Sequence, residues 1–309
     1  MTDFRSVLGG LLWLCQTRLD LVADIVLLQG DISIATIGHL KQANLVVRKA
    51  QKYRDGCGLI YPRISPPFVL WAPHDSSHAR EGLSYAQEGA LTLLAEDRHI
   101  PVDSKNMVAE ADSSYLGGFC HVLASLGRKG KRVAPSTSSA ETNAAVSAKE
   151  VAQLVAMRLT EVMYTGIGWP LRERVSLSLL ITIQEKGAFV VPIDNFTDCQ
   201  DLFDLVKGTP QDRHQRLYVM SIREDRLARR MRRFWKISTQ YMIADALTKH
   251  MLSPIMMDLI TIGYWLLRSP SDKPSRYEVL PTPTSFDFEE HNLETLTQPH
   301  AQSFSFGQG

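Results

Sequence analysis

Cysteine is scarce in this 309-residue sequence: Cys15, Cys57, Cys120 and Cys199 stand far apart, and no two are in CxxC spacing. A zinc ribbon and a disulfide framework are both disfavoured, and a reducing compartment, cytoplasmic or nuclear, is expected. An excess of one charge is lacking too. Lys and Arg total 34 against 33 Asp and Glu, a formal net charge of +1. That excludes both an acidic solvating chain and a uniformly basic one, so affinity for nucleic acid has to come from local patches. No long apolar run occurs either. The most apolar N-terminal stretch, Val7 to Leu28, is interrupted by Gln16, Arg18, Asp20 and Asp24, whereas a membrane span needs about 20 mostly uncharged residues. No membrane association is expected. The opening Met1-Thr2-Asp3-Phe4-Arg5 lacks the basic-then-apolar layout of a secretory signal, and no internal repeat of fixed period is present.

What the sequence does contain is a globular composition, 44% hydrophobic and 22% charged, rich enough to build a sizeable core. Residues 1–55 read as two helices, Val7–Leu28 and Ile37–Tyr53, separated at Gly30-Asp31. The second alternates Leu40, Ala43, Val46 and Val47 with Lys41, Arg48, Lys49 and Lys52, an amphipathic pattern. A linker covers 56–65. From 66 to 266, strand and helix signals alternate. Apolar runs at 68–72, 90–94 and 119–123 precede a long helix at about 139–164. A strand at 188–193, a helix at 198–207, a helix at 213–231, a strand at 234–238 and a final helix from Ile243 follow. The expected fold class is α/β, a mixed five-stranded sheet with flanking helices. Residues 267–309 carry Pro270, Pro274, Pro281, Pro283 and Pro299 among Ser, Thr and Gln, a composition expected to stay disordered.

Four acids stand at element ends. Asp75 follows the first apolar run, where turn aspartates are common. Glu141 heads the stripe Ala145, Ala148, Ala152, Val155, Leu159 and Val162 of the long helix, so a carboxylate leads the face that packs on the sheet. Ser138-x-x-Glu141 also fits a capping box. Asp198 stands where a strand gives way to a helix, an ordinary N-cap position. Asp245 falls in the first turn of the last helix, where an acid offsets the helix dipole. Taken singly each is unremarkable. An α/β sheet, however, gathers strand and helix ends at one edge, and clustered carboxylates repel unless a cation lies among them. Hard oxygen ligands select Mg²⁺ or Mn²⁺, and two such ions can drive in-line phosphodiester cleavage.

In that order, the acids, with Thr197-Asp198-Cys199-Gln200, Ser138-Ser139-Ala140-Glu141 and Ala244-Asp245-Ala246-Leu247-Thr248-Lys249, resemble the ribonuclease H domain of copia-type LTR retrotransposon polyproteins. The helix signature there is roughly S-S-T-E-A-E-Y and the closing one A-D-x-x-T-K. Gln211 to Glu224 looks like the helix before the family's last strand. Gly9 to Asp20 is similar to the end of the copia-type reverse transcriptase, its thumb. The resemblance covers about residues 5 to 253. It implies a ribonuclease H-like domain at 66–266 behind a helical thumb remnant at 1–55, with Asp75, Glu141, Asp198 and Asp245 as catalytic, metal-binding acids. The implied activity is Mg²⁺- or Mn²⁺-dependent hydrolysis of the RNA strand in RNA–DNA hybrids, beside an upstream reverse-transcriptase domain of the same polyprotein. Asp112, in a second Asp-Ser-Ser at 112–114, competes with Asp75, and Asp194 competes with Asp198. The paired-aspartate polymerase motif is missing, so polymerisation by this chain is not expected. A catalytically decayed, connection-like binding module is the alternative.

Basic residues cluster twice. Arg128, Lys129, Lys131 and Arg132 precede the Glu141 helix. Arg213, Arg216, Arg223, Arg226, Arg229, Arg230, Arg232, Arg233 and Lys236 face only Glu224 and Asp225 in the same stretch. Such patches can hold phosphates, with salt-dependent and sequence-independent affinity; Arg128, Lys129, Lys131, Arg132, Arg229, Arg230, Arg232 and Arg233 are the candidates, although a solvated helix face explains any single one equally well. His250 is a weak candidate for a proton shuttle.

Overall fold

The computed structural model describes residues 2–77, 85–98, 117–166, 176–208, 213–251, 253–267 and 278–280. Among these, no helix is long and apolar enough to cross a membrane. The first element is a trio of helices, α1 (Thr2–Leu14), α2 (Val22–Gly30) and α3 (Ile37–Lys52). They close on a core of their own built from Phe4, Leu8, Leu11, Leu21, Ile25, Leu28, Ala43 and Val46. The single helix expected over 7–28 is broken between α1 and α2. Arg18 explains the break: its guanidinium grips Asp20 at 2.8 Å and the Ala50 carbonyl at 3.0 Å. A straight helix would carry that side chain away from α3. Thr36 caps α3 by accepting from the His39 amide.

The rest is a mixed α/β layer structure. Three strands, β1 (Phe68–Ser77), β2 (Tyr85–Glu96) and β3 (Gly117–Val133), form an antiparallel meander. The long α4 (Thr137–Gly166) and α5 (Leu177–Lys186) then lead to β4 (Ile193–Thr197), which pairs parallel to β1. Helices α6 (Gln200–Lys207) and α7 (Arg213–Leu227) lead to β5 (Arg233–Lys236), parallel to β4. Two further helices, α8 (Asp245–Thr248) and α9 (Pro254–Ile262), precede the edge strand β6 (Tyr264–Leu266) on β3. Strand β7 (Glu278–Leu280) lines the other edge, against β5. The sheet order is β6-β3-β2-β1-β4-β5-β7. Of the stretch 267–309, only Leu267 and β7 lie among the described residues.

Both faces of the sheet are covered, so its central strands are buried throughout. One face carries Trp71, Leu91, Leu93, Phe196, Trp235 and Trp265 against α8 and α9. The other carries Leu70, Ala72 and Ile193 beneath Ala152 and Ala156 of α4. Alanines along α4 let it lie close to β1. Its buried stripe follows Ala145, Ala148 and Ala152 as the periodicity predicts, then runs on through Ala156 and Thr160, leaving Val162 65% exposed. A strict alternation of three and four drifts off a 3.6-residue helix over this length.

The fourth strand lies later than the apolar run at 188–193 suggests. β4 includes Asp194 and Asn195, residues depleted in strands, and the sheet accommodates the buried Asp194 because Arg232 neutralises it. The elements α5, β6 and β7 were not foreseen from the sequence.

Candidate metal centre

The acids converge on the edge of the sheet where β1 and β4 end. Asp75 is not a turn residue: it lies inside β1, pairs across the ladder with Gly89, and is 2% exposed. Pro73, two residues before it, has no N–H, yet the β1–β2 register is the same on both sides of it. The next strand position over, Gly127, pairs with Gly89 in turn. These two glycines form a shallow trough across the sheet. A Cβ on Gly89 would meet Thr248 Cγ2 at 2.7 Å and Leu247 Cβ at 2.9 Å, and one on Gly127 would meet Val22 Cγ1 at 2.3 Å. Without side chains at both positions, α8 and α2 sink onto the sheet, and α8 brings Asp245, Thr248 and Lys249 to Asp75.

Glu141 reaches the same edge from the opposite layer. The capping-box expectation is corrected here. Ser136 Oγ, not Ser138, accepts from the first turn of α4, through the Ser139 amide at 3.1 Å. Glu141, 4% exposed, instead turns to β1. Its Oε1 accepts from the Ser76 amide at 3.1 Å and from Ser76 Oγ at 3.0 Å. Its Oε2 is buried without a hydrogen-bond partner among the described residues. Asp198 is likewise not the cap of α6. Cys199 holds that position, accepting from Leu202 at 3.5 Å, which leaves the Asp198 carboxylate facing Asp75.

Asp75, Glu141 and Asp198 each offer a carboxylate oxygen, all within 4.8 Å of one another. The electrostatic consequence falls on Glu141 and Asp198. Burial, then the charges of Asp75 and Asp198, push Glu141 up to about 9. Burial and Asp75 raise Asp198, against a hydrogen bond from Thr239 and the nearby Lys249 and Lys236. Asp245 stands beside the trio rather than within it. Burial and Asp75 push it up to about 7, against a hydrogen bond from Lys249. Thr248 Oγ1 donates a short bond to Asp75 Oδ2. Lys249 Nζ lies 2.7 Å from Asp245 Oδ1 and 3.5 Å from Asp75 Oδ2.

This all-oxygen, buried, mutually repelling set can hold a hard divalent ion such as Mg²⁺ or Mn²⁺. The unpartnered Glu141 oxygen fits that chemistry, since a buried carboxylate oxygen is normally satisfied.

The competing acids separate cleanly. Asp194 is held by Arg232 at 2.8 and 2.9 Å and by Trp235 Nε1 at 3.4 Å, so it does not join the cluster. Asp112 lies outside the described residues. His250 turns away from the acids to contact Asp24 of α2. His74, beside Asp75 in the chain, points to the other face, where complete burial pushes it down to about 4. Asn195 and the charge of Asp75 oppose that fall without cancelling it.

Ser76, Thr248, Lys249 and Gly89 were not assigned roles from the sequence, although Thr248 and Lys249 stand in the closing motif. The motif spacing could have marked them, because one turn of helix puts Thr248 and Lys249 on the same side as Asp245.

The proposed phosphate ligands are placed unevenly. Arg128 donates to Glu88 at 2.9 Å and to Ser147 at 2.8 Å. Arg230 is paired with Asp225 and Glu224, and Arg232 with Asp97 and Asp194. The sequence-based picture of a free arginine patch is therefore corrected for these three, whose charges are balanced by carboxylates at hydrogen-bond distance. Lys129 Nζ lies over the Tyr85 ring at 4.8 Å, and Arg233 lies over Trp235 at 5.8 Å. Arg229 is exposed, in a left-handed backbone conformation at φ 58°. The side chains of Lys131 and Arg132 lie outside the described ones. A separate cleft of about 450 Å³ opens between α2–α3 and the β2–β3 pair, with Lys49, Tyr85, Lys129 and His250 on its walls and none of the four acids among its lining residues.

No protein-family model, curated protein or solved structure matches this chain.

Proposed function

We propose that the chain is a metal-dependent nuclease of the ribonuclease H type, hydrolysing the RNA strand of RNA–DNA hybrids. We read it as the C-terminal part of a copia-type LTR retrotransposon polyprotein, working with an upstream reverse-transcriptase domain. One observation carries the reading: three acids from β1, α4 and the end of β4 meet within 4.8 Å, one of them with a buried, unpartnered oxygen. Such a cluster is costly unless a cation compensates it. The strand order β3-β2-β1-β4-β5 also supports the ribonuclease H-like fold that the motifs imply, with the first acid on the central strand and the second on the helix after the meander.

In this reading Asp75, Glu141 and Asp198 hold the ion, and Asp245 adds charge at the flank. A bound Mg²⁺ or Mn²⁺ supplies an activated water and compensation of charge at the scissile phosphate. Ser76 fixes the Glu141 carboxylate by two hydrogen bonds, and Thr248 fixes that of Asp75. Neither buried carboxylate then has to reorganise when substrate arrives. Lys129 and Tyr85, on the wall of the cleft between α2–α3 and the β2–β3 pair, suit a backbone phosphate and a sugar or base face. Recognition through shape and 2′-hydroxyls makes the cleavage independent of sequence.

A labelled RNA–DNA hybrid incubated with Mg²⁺ tests the reading. The parent protein is expected to cleave the RNA strand, and Asp198→Asn to lose that cleavage while still binding the hybrid. Equal cleavage by both would remove the assignment. Hybrid binding without cleavage by the parent would favour the second reading, a connection-like binding module. The specific observation on that side is Lys249, which lets part of the acid cluster stand without a metal ion.

A further inference from the structure

The acid cluster is electrostatically lopsided. On the side of Asp75 that faces Glu141 and Asp198, Lys249 and Lys236 act on Asp198 only through space, neither acid forms an ion pair among the described residues, and Glu141 Oε2 has no hydrogen-bond partner among them. On the side that faces Asp245, Lys249 Nζ sits 2.7 Å from Asp245 Oδ1 and 3.5 Å from Asp75 Oδ2. An ammonium there takes up the charge that a second cation bridging Asp75 and Asp245 would otherwise take. At these separations like charges repel strongly even at a generous effective dielectric.

Resting on the metal-dependent reading above, we infer that Lys249 is a tethered counter-cation. It holds the Asp75–Asp245 position, so the site takes one divalent ion readily and a second only when the lysine swings away.

Three features let it act this way. Its side chain is 40% exposed, so the ammonium has a route to solvent. Its backbone is extended and lies just past α8, at φ −118° and ψ 138°, so moving the side chain disturbs no helical turn. Thr248 holds Asp75 independently of the lysine, so departure of Lys249 leaves the shared carboxylate in place. Lysine suits this role better than arginine, being a compact point charge on a flexible stem.

Direct counting of bound Mn²⁺, by the loss of the free-ion electron paramagnetic resonance signal, tests the inference without reference to activity. The parent is expected to bind one Mn²⁺ tightly and a second only weakly. Lys249→Gln is expected to bind the second ion roughly tenfold or more tightly. Lys249→Met should do the same, and Lys249→Arg should stay close to the parent. Adding Asp245→Asn to Lys249→Gln should abolish the gain. Urea midpoints in EDTA check that each variant is folded, and Lys249→Met serves if Lys249→Gln is not. Unchanged second-ion affinity in the folded Gln or Met variant overturns the inference while leaving the nuclease reading intact. So does a parent that already binds two ions equally well. A parent that binds no Mn²⁺ removes the metal-dependent reading itself, and this inference with it.

Discussion

Replacing Glu141 by Gln should make the metal-free protein more stable, an unusual outcome for changing a buried charged residue. The folded carboxyl keeps its proton up to about pH 9, while the unfolded chain releases it near 4.5. Between those values the native state binds more protons than the unfolded one, so stability falls as pH rises. Below 4.5 the contribution is fully present, and it is lost as pH approaches 9. The slope is at most about 1.4 kcal/mol per pH unit, so roughly 3 kcal/mol disappears between pH 4.5 and 7. Glutamine cannot ionise in either state. Its amide oxygen can accept the same two hydrogen bonds from Ser76, and its volume is unchanged. Urea denaturation in EDTA at pH 4.5, 5.5, 7 and 8 is the assay. Glu141→Gln is expected to match the parent near pH 4.5 and to exceed it by on the order of 3 kcal/mol at pH 7. Saturating Mn²⁺ should then narrow or reverse the gap, because the ion stabilises only the form that binds it. A variant no more stable than the parent at pH 7, or a gap that does not widen with pH, refutes the electrostatic argument.

Gly89→Ala should force α8 off the sheet, because the new methyl would lie 2.7 Å from Thr248 Cγ2 and 2.9 Å from Leu247 Cβ. A loss of ~1–3 kcal/mol in urea stability is expected, together with weaker Mn²⁺ binding as Thr248 parts from Asp75; unchanged stability and binding would contradict the trough. Arg232→Met should cost about 3–5 kcal/mol, since it strands Asp194, which is 1% exposed, while hybrid affinity measured by fluorescence anisotropy should hardly move. A large loss of affinity in a folded Arg232→Met protein would instead return this arginine to the phosphate-binding set.

The glycine trough shows where reading the sequence reached its end. Periodicity located α3 and α4 because each buries one apolar face, and short apolar runs located the meander because its strands are buried on both faces. The apolar run at 188–193 put the fourth strand too early, because β4 goes on through Asp194 and Asn195, and the place of Asp194 in a sheet depends on Arg232 from a distant segment. Periodicity joined α1 to α2 because the break between them is fixed by Arg18 reaching Asp20 and Ala50. The basic cluster at 229–233 gave the right charges but not their partners: Asp97, which neutralises Arg232 together with Asp194, is far away in the chain.

The order of elements, the acids that head them and the Thr-Lys pair after Asp245 are properties of the chain itself, set by local spacing and side-chain type. Which carboxylates meet was decided only by the fold. Ser136 caps α4 and Cys199 caps α6, so Glu141 and Asp198 are left to face Asp75, while Arg232 withdraws Asp194. Local pattern cannot reveal this, because each acid's role depends on which competing partner satisfies its neighbours, and those partners are brought together only by packing.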